Sequence, residues 1–371
     1  MDRTKARRRR VAFVVLLGLA LVAFALGAAV GDEGEPPEEV EVASTLAAPQ
    51  LAGERVVAGL QGTGISPRLR KAVRQGRIAG VVLFEASFPS RAAGRRLIAR
   101  LQAIKRPRGL RDPLLIMVDQ EGGLVKRVDG APTLSARQIG NRGPATARQQ
   151  GRRTAANLRS LGVNVDLAPV LDLGRPGGVI AETERAFGAT PGKVTETAIP
   201  FAQALQAGGV AATAKHFPGF GAASENTDFA VEEINLPKAR LRAADEAPFA
   251  AFAAAGGDLV MLSTAIYPAF SARPAAFARP IATGELRGRL GFAGVSVTDA
   301  LGTVAVEDFG GPAQAGLAAV RAGVDLLLFN DLNGAEAGWK TLVKQLRARK
   351  LPRAEFEASV QRVLDLRESL R

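Results

Sequence analysis

The 371-residue chain is 47% hydrophobic, carries a formal net charge of +13, and contains one histidine and no cysteine. The missing thiols exclude disulfides, thiolate metal sites, a cysteine nucleophile and lipoprotein attachment, and with a single histidine no structural zinc site is expected. The positive charge permits contact with nucleic acid, lipid headgroups or acidic wall polymers, but the arginines are scattered, aromatics make up only 5% and no nucleic-acid motif occurs, so no nucleic-acid partner is expected.

In chain order, residues 1–10 hold Arg3, Lys5 and the run Arg7 to Arg10, and Val11 to Val30 is an unbroken uncharged apolar stretch. A basic flank ahead of such a stretch is the pattern of an export signal or a membrane anchor. The apolar part of a cleavable signal is about 7–15 residues, whereas a bilayer span needs about 20. Residues 1–31 therefore read as an uncleaved anchor with an extracytoplasmic remainder, with cleavage after Ala29 as the alternative. Residues 32–50 are acidic, rich in Pro, Glu and Ala, and lack aromatics, which predicts a disordered linker. The folded part is expected to run from 51 to 371 as one domain, and as a monomer.

From Leu51 onward, short apolar runs alternate with amphipathic segments of helical length. The predicted strands are Arg55–Leu60, Ala79–Phe84, Leu114–Asp119, Val163–Val170, Val210–His216, Leu259–Thr264, Gly294–Ala300 and Val324–Asn330. Helices are predicted over Ser90–Ile104, Thr146–Leu161, Val194–Ala207, Lys238–Ala255, Pro312–Ala322, Gly338–Ala348 and Arg353–Leu370. Continuous apolar strands separated by helices argue for a parallel sheet covered on both faces. Eight such units predict an α/β fold, a closed (β/α)8 TIM-type barrel. A doubly wound open sheet is the alternative, and the lack of a G-x-G-x-x-G turn after the first strand weighs against it.

The polar residues cluster at strand ends. The third predicted strand runs into Asp119-Gln120-Glu121-Gly122-Gly123, the fourth into Asn164-Val165-Asp166-Leu167-Ala168-Pro169, the fifth into Lys215-His216 and the seventh into Thr298-Asp299. His216 is the lone histidine, and a Pro-Gly pair and a polar loop with Glu225, Asn226 and Asp228 follow it. Any one of these could cap the next helix or a strand. Four strands delivering charged or amide groups to the face where such barrels do their chemistry make a pocket the better reading. Carboxylates beside a Lys-His pair, with no cofactor motif and no G-x-S-x-G elbow, suit sugar chemistry. A glycosidase needs a carboxylate under the anomeric carbon, a proton donor to the leaving oxygen, and groups that grip hydroxyls.

The chain resembles glycoside hydrolase family 3, in its single-domain β-N-acetylglucosaminidase (β-hexosaminidase) branch. The resemblance covers nearly all of residues 51–371 and rests on Asp119-Gln-Glu-Gly-Gly-Leu-Val-Lys-Arg127, Asn164-Val-Asp-Leu-Ala-Pro-Val-Leu-Asp172, Arg185-Ala-Phe-Gly188, Lys215-His-Phe-Pro-Gly219 and Val297-Thr-Asp-Ala-Leu301. It implies that Asp119, Arg127, Arg185, Lys215 and His216 hold the hydroxyls and acetamido group of the −1 sugar. It implies that Asp299 is the nucleophile of a retaining, cofactor-free hydrolysis. The substrate it implies is a terminal N-acetyl-β-glucosaminide of wall or chitin-type oligosaccharides.

One loop departs from the family. Where the branch carries an Asp-Ser/Thr-His element whose histidine is the acid/base, this chain has Asn226 and Asp228. The P-G-H-G histidine is replaced by Phe220, and the sixth strand ends in Thr264, where relatives often carry a histidine. Three readings stay open. Asp228 is itself the acid/base, with Asn226 orienting it and Glu225 in reserve, if its pKa is raised by its surroundings. Or the donor is missing and only activated glycosides are cleaved or transferred. Or the protein binds sugar at the cell surface without catalysis. A wall-tethered structural protein using its basic surface is a fourth possibility of a different class, and the intact set of gripping residues argues against it.

Overall fold

The computed structural model describes residues 42–371. Eight strands are β1 Val56–Leu60, β2 Gly80–Leu83, β3 Leu115–Val118, β4 Val165–Asp166, β5 Ala211–Phe217, β6 Leu259–Leu262, β7 Val295–Thr298 and β8 Leu327–Phe329. All neighbours pair in parallel, in the order β7-β6-β5-β4-β3-β2-β1-β8. The register sets Val57 beside Gly80, Gly80 beside Leu115, Met117 beside Val165, and Thr213 beside Leu259. A parallel bridge between Val297 and Leu326 joins β7 to the start of β8 and closes the ring. The fold is the expected (β/α)8 barrel.

Two-sided burial explains why the strands read as unbroken apolar runs. Val57, Val82, Leu115, Met117, Leu259, Met261, Val295, Val297 and Leu328 pack together in the lumen, while their neighbours Val56, Ala58, Ile116, Val118, Val260 and Leu262 face the surrounding helices. A period of two with both phases apolar is what helix layers on both sides of a strand require. The helices begin where local chemistry favours it. Ser66, Ser90, Thr190 and Asp331 accept N–H groups of the first turn, Ser135 and Gln138 form a capping box, and Pro67, Pro144, Pro191 and Pro312 stand in first turns.

The structure corrects some expectations. Residues 1–41, with the signal or anchor and most of the linker, lie outside the described residues. Residues 42–50, expected to be disordered, form two short helices, Val42–Thr45 and Ala48–Gly53. Ala43 and Leu46 are buried, Trp339 Nε1 donates to Pro49 O (2.8 Å), and Arg353 donates to Leu46 O (3.2 Å). Averaging this segment with the acidic stretch before it hid its apolar character, and the folded unit begins nine residues earlier than 51. The helix expected over Lys238–Ala255 is interrupted by wider π-type turns at Leu241–Asp245. Two small hairpins, Gln120–Gly122 with Val125–Lys126 and Ile266–Tyr267 with Ser271–Pro274, are too short to leave a periodicity.

The two ends of the barrel carry different chemistry. At the N-terminal ends of the strands, two buried carboxylates are each shared by two guanidinium groups. Glu54 pairs with Arg106 (2.7 Å) and with Arg367, and Asp325 pairs with Arg362 (2.7 Å) and Arg287. Such closed networks at this face read as stability. The opposite end is open.

Candidate active site

At the C-terminal ends of the strands a pocket is lined by Asp119, Arg127, Arg185, Lys215, His216, Asn226, Asp228 and Asp299, together with Glu121, Phe220 and Asn330. All eight residues that the sequence singled out as catalytic or sugar-gripping are therefore brought together. Glu225 is not among the lining residues; it is exposed, and its N–H goes to Glu232 (3.2 Å). Thr264 does not line the pocket either.

The floor is an ion network spread over three strand ends. Lys215, at the end of β5, donates to Asp119 Oδ1 (2.8 Å) and lies 2.7 Å from Glu121 Oε1. Arg185 clamps Glu121 with two bonds of 2.8 Å. Arg127 sits 3.7 Å from Asp119 Oδ2, with its Nε buried and without a partner. Burial alone would raise the Glu121 carboxyl, but Arg185 and Lys215 outweigh it and hold Glu121 well below the usual carboxylate range. Burial would likewise lower Lys215, and Asp119 and Glu121 overcome it, so the ammonium stays charged. On β4, burial pushes Asp166 well above its ordinary value despite a hydrogen bond from Gln120 N (3.0 Å). Lys215, Arg185, Asp119 and Glu121 thus form a fixed array of charged groups, already paired, that can grip hydroxyls without rearranging.

His216 is oriented from behind. Its Nδ1 is 2.7 Å from Asp172 Oδ2, and the same carboxylate accepts the backbone N–H groups of His216 (3.0 Å) and Phe220 (2.6 Å). With Nδ1 engaged by a fully buried carboxylate, Nε2 is the nitrogen left for a ligand. The turn that follows depends on Gly219 at φ +127, where a Cβ would come 2.6 Å from the Cβ of Asp245; Tyr267 donates to its carbonyl (3.0 Å). On the hairpin after β3, Gly122 at φ +93 has the same role, since a Cβ would meet Leu134 O at 2.3 Å.

Asp299 ends β7. Its N–H bonds to Leu262 O (2.9 Å), and its Oδ1 accepts the N–H of Ala300 (2.7 Å). Asp228 comes from the loop after β5. Asn226 holds it twice: Nδ2 donates to Asp228 Oδ2 (3.1 Å), and Oδ1 accepts Asp228 N–H (3.0 Å). Asp228 remains solvent-accessible. Even so, partial burial and the Asp299 carboxylate, opposed by the bond from Asn226, raise its carboxyl above the ordinary range.

Comparison with known proteins gives the family. The profile of the glycosyl hydrolase family 3 N-terminal domain matches residues 48–366. The chain belongs to glycoside hydrolase family 3. Among its relatives, a protein of Arthroderma benhamiae described as an uncharacterized secreted glycosyl hydrolase is 38% identical, over 86% of this chain and 93% of its own. A β-hexosaminidase of Xanthomonas oryzae pv. oryzae is 37% identical over 73% of this chain and 81% of its own. The family 3 β-N-acetylglucosaminidase of a Paenibacillus species superimposes with a TM-score of 0.83 at 32% identity, covering 88% of this chain and 63% of that longer one. The β-N-acetylhexosaminidase of Beutenbergia cavernae does so with a TM-score of 0.80 at 30% identity, covering 87% of this chain and 99% of its own.

Three residues of this family 3 site had no assigned role in the sequence reading: Glu121, Asp172 and Asn330. The first two lie inside the quoted motifs, two residues after Asp119 and six after Asp166, and their spacing alone offers no hint of which partner each meets. Asn330 reads as the last residue of a strand.

Proposed function

We propose that the protein is a retaining glycosidase that releases terminal β-linked N-acetylglucosamine, with Asp299 as nucleophile and Asp228 as acid/base. The reading rests on one observation: the Asp228 and Asp299 carboxyls line one pocket, and Asp228 is shifted toward its protonated form by partial burial and by Asp299. In the first step the Asp299 carboxylate attacks the anomeric carbon while Asp228 gives its proton to the departing glycosidic oxygen. A glycosyl ester of Asp299 forms and the aglycone leaves as an alcohol. In the second step the Asp228 carboxylate takes a proton from water, water attacks the anomeric carbon, and Asp299 is freed. Asn226 keeps Asp228 aimed, which is the service an aspartate gives a histidine in the family's usual loop. The Asp119, Lys215, His216 and Arg185 cluster would hold the sugar hydroxyls.

The choice of sugar is supported by the relatives named as β-hexosaminidase and β-N-acetylglucosaminidase. An extracytoplasmic location is supported by the arginine flank and apolar run of the N-terminus and by the secreted description of the Arthroderma relative. Among the described residues no helix is long and apolar enough to cross a membrane.

The test is hydrolysis of 4-nitrophenyl N-acetyl-β-glucosaminide by the wild-type protein, by Asp299→Ala and by Asp228→Asn. Turnover should vanish in Asp299→Ala. Asp228→Asn should still release 4-nitrophenol from this activated substrate in a burst, with slow turnover because water has lost its base, and should lose the disaccharide; added azide should speed turnover and yield a β-glycosyl azide, since azide needs no base. Unchanged cleavage of the disaccharide by Asp228→Asn would refute Asp228 as acid/base. Binding of N-acetylglucosamine without any turnover would favour a non-catalytic sugar-binding protein.

A further inference from the structure

The charges at the foot of the barrel do not balance everywhere. Beside the Asp325 network a cavity of about 540 Å³ opens between the last helix, Arg353–Ser369, and the helical segments that precede β7 and β8, Pro280–Arg289 and Pro312–Ala322. It is lined by six cations, Arg55, Arg279, Arg287, Arg321, Lys350 and Arg362, against one carboxylate, Glu355. Asp325 stands behind them: Arg287 and Arg362 pair with its carboxylate, and Arg55 Nε donates to its carbonyl (2.9 Å). One carboxylate falls short of three guanidinium charges. Burial, opposed by Asp325 and reinforced by Arg362, lowers Arg55 to about 10 and lowers Arg287 as well.

Donors are left over on this wall. Arg362 is 31% exposed at its side chain; its Nε and Nη2 meet Asp325 and Ser359, which leaves Nη1. Arg321 and Lys350 are exposed, and neither has an acidic partner among the described residues. Arg279 meets Glu355 at 3.3 Å, an exposed pair. Behind them Arg55 is 1% exposed; its Nη2 donates to Val324 O, its guanidinium lies over the Phe356 ring (4.3 Å), and its Nη1 has no partner among the described residues. The last helix starts at this cavity with Pro352 at its N-cap and no side-chain cap, so its dipole adds to the field. A surplus of cations around an open cavity suits an anion of more than one charge. A phosphate monoester carries about −1.5 to −2 and three acceptor oxygens, which match guanidinium forks and an ammonium. We propose that this cavity binds a phosphate monoester, gripped by Arg362, Arg321 and Lys350, with Arg55 behind them. The chain enters the folded unit along the same helix, where Ala43 N–H donates to Gln361 Oε1 (3.2 Å), and the N-terminal apolar run reads as a membrane anchor. A lipid headgroup is therefore one source of such a phosphate, and a soluble phosphate ester is the other.

The experiment uses the full chain in neutral detergent micelles and measures binding by calorimetry. The probes are inorganic phosphate, glycerol 3-phosphate, and micelles doped with phosphatidic acid. The variant is the double substitution Arg321→Ala with Lys350→Ala. The control for lost surface charge is Arg152→Ala with Arg153→Ala, two exposed positions on the helix Pro144–Arg159. The wild type should show saturable binding. The variant should lose about tenfold or more in affinity, and the control should stay within about twofold. Both should keep the wild-type unfolding midpoint by circular dichroism, because all four side chains are exposed. Saturation by inorganic phosphate and glycerol 3-phosphate supports the site with a soluble ligand, and saturation confined to the doped micelles supports it with a headgroup. No saturable binding of any probe by the wild type, or equal losses in variant and control, would overturn the site. The glycosidase reading stands or falls separately, on the hydrolysis assay above.

Discussion

Glu121→Gln tests whether the floor of the site is built on charge balance. Glu121 is 3% exposed at its side chain and serves two cations, Lys215 at 3% and Arg185 at 14% exposure. The amide has nearly the same shape, so the substitution removes one charge and turns one acceptor into a donor facing a guanidinium or an ammonium. Removing one partner of a buried ion pair costs about 3–5 kcal/mol, because the remaining charge stays desolvated. Lys215 keeps Asp119, so the lower part of that range is expected. The sign of the pH dependence is fixed. The folded carboxyl lies well below its ordinary value of 4.5, so its contribution is complete above that value and declines as pH falls toward the depressed one. The stability gap between wild type and variant should therefore be largest near neutrality and narrow as the pH is lowered below about 4.5. Urea unfolding at several pH values, followed by the fluorescence of the single tryptophan, Trp339, and by circular dichroism, measures it. A gap below about 1 kcal/mol at pH 7, or one that stays constant down to pH 3, would refute the account.

Three further outcomes are expected. Asp172→Asn offers an NH2 group where three donors converge, so one of them loses its acceptor; KM should rise about tenfold or more with a smaller change in kcat, because the His216 ring loses its orientation. Activity should fall as pH rises through the raised pKa of Asp228, the group that must be protonated; Asp228→Asn should remove this alkaline limb and cost about 10²–10⁴ in rate on unactivated glycosides. A chain beginning at residue 51 loses the burial of Ala43 and Leu46 and the bonds to Pro49 and Leu46; compared with one beginning at residue 42 it should be less stable by about 2–4 kcal/mol in the same urea assay.

Much of this protein was legible before folding. Each barrel strand is an apolar run of a few residues with a helical stretch after it, and two-sided burial writes itself directly into composition, so all eight strands were locatable. The site was legible for a related reason. The barrel puts the end of every strand on one face, so polar residues there can meet in one pocket whatever their distance along the chain. Asp119, Lys215 and Asp299 could thus be grouped across 180 residues. What tertiary structure decided were the pairings. That Glu121 meets Lys215 and Arg185, that Asp172 stands behind His216, and that Asn330 is left with an unmet oxygen beside the nucleophile's loop follow from register and closure. These arise from contacts between strands that are distant in sequence, for which no local pattern exists. The same holds for residues 42–50, which order themselves only because Trp339, Arg353 and Gln361, about 300 positions later, meet them.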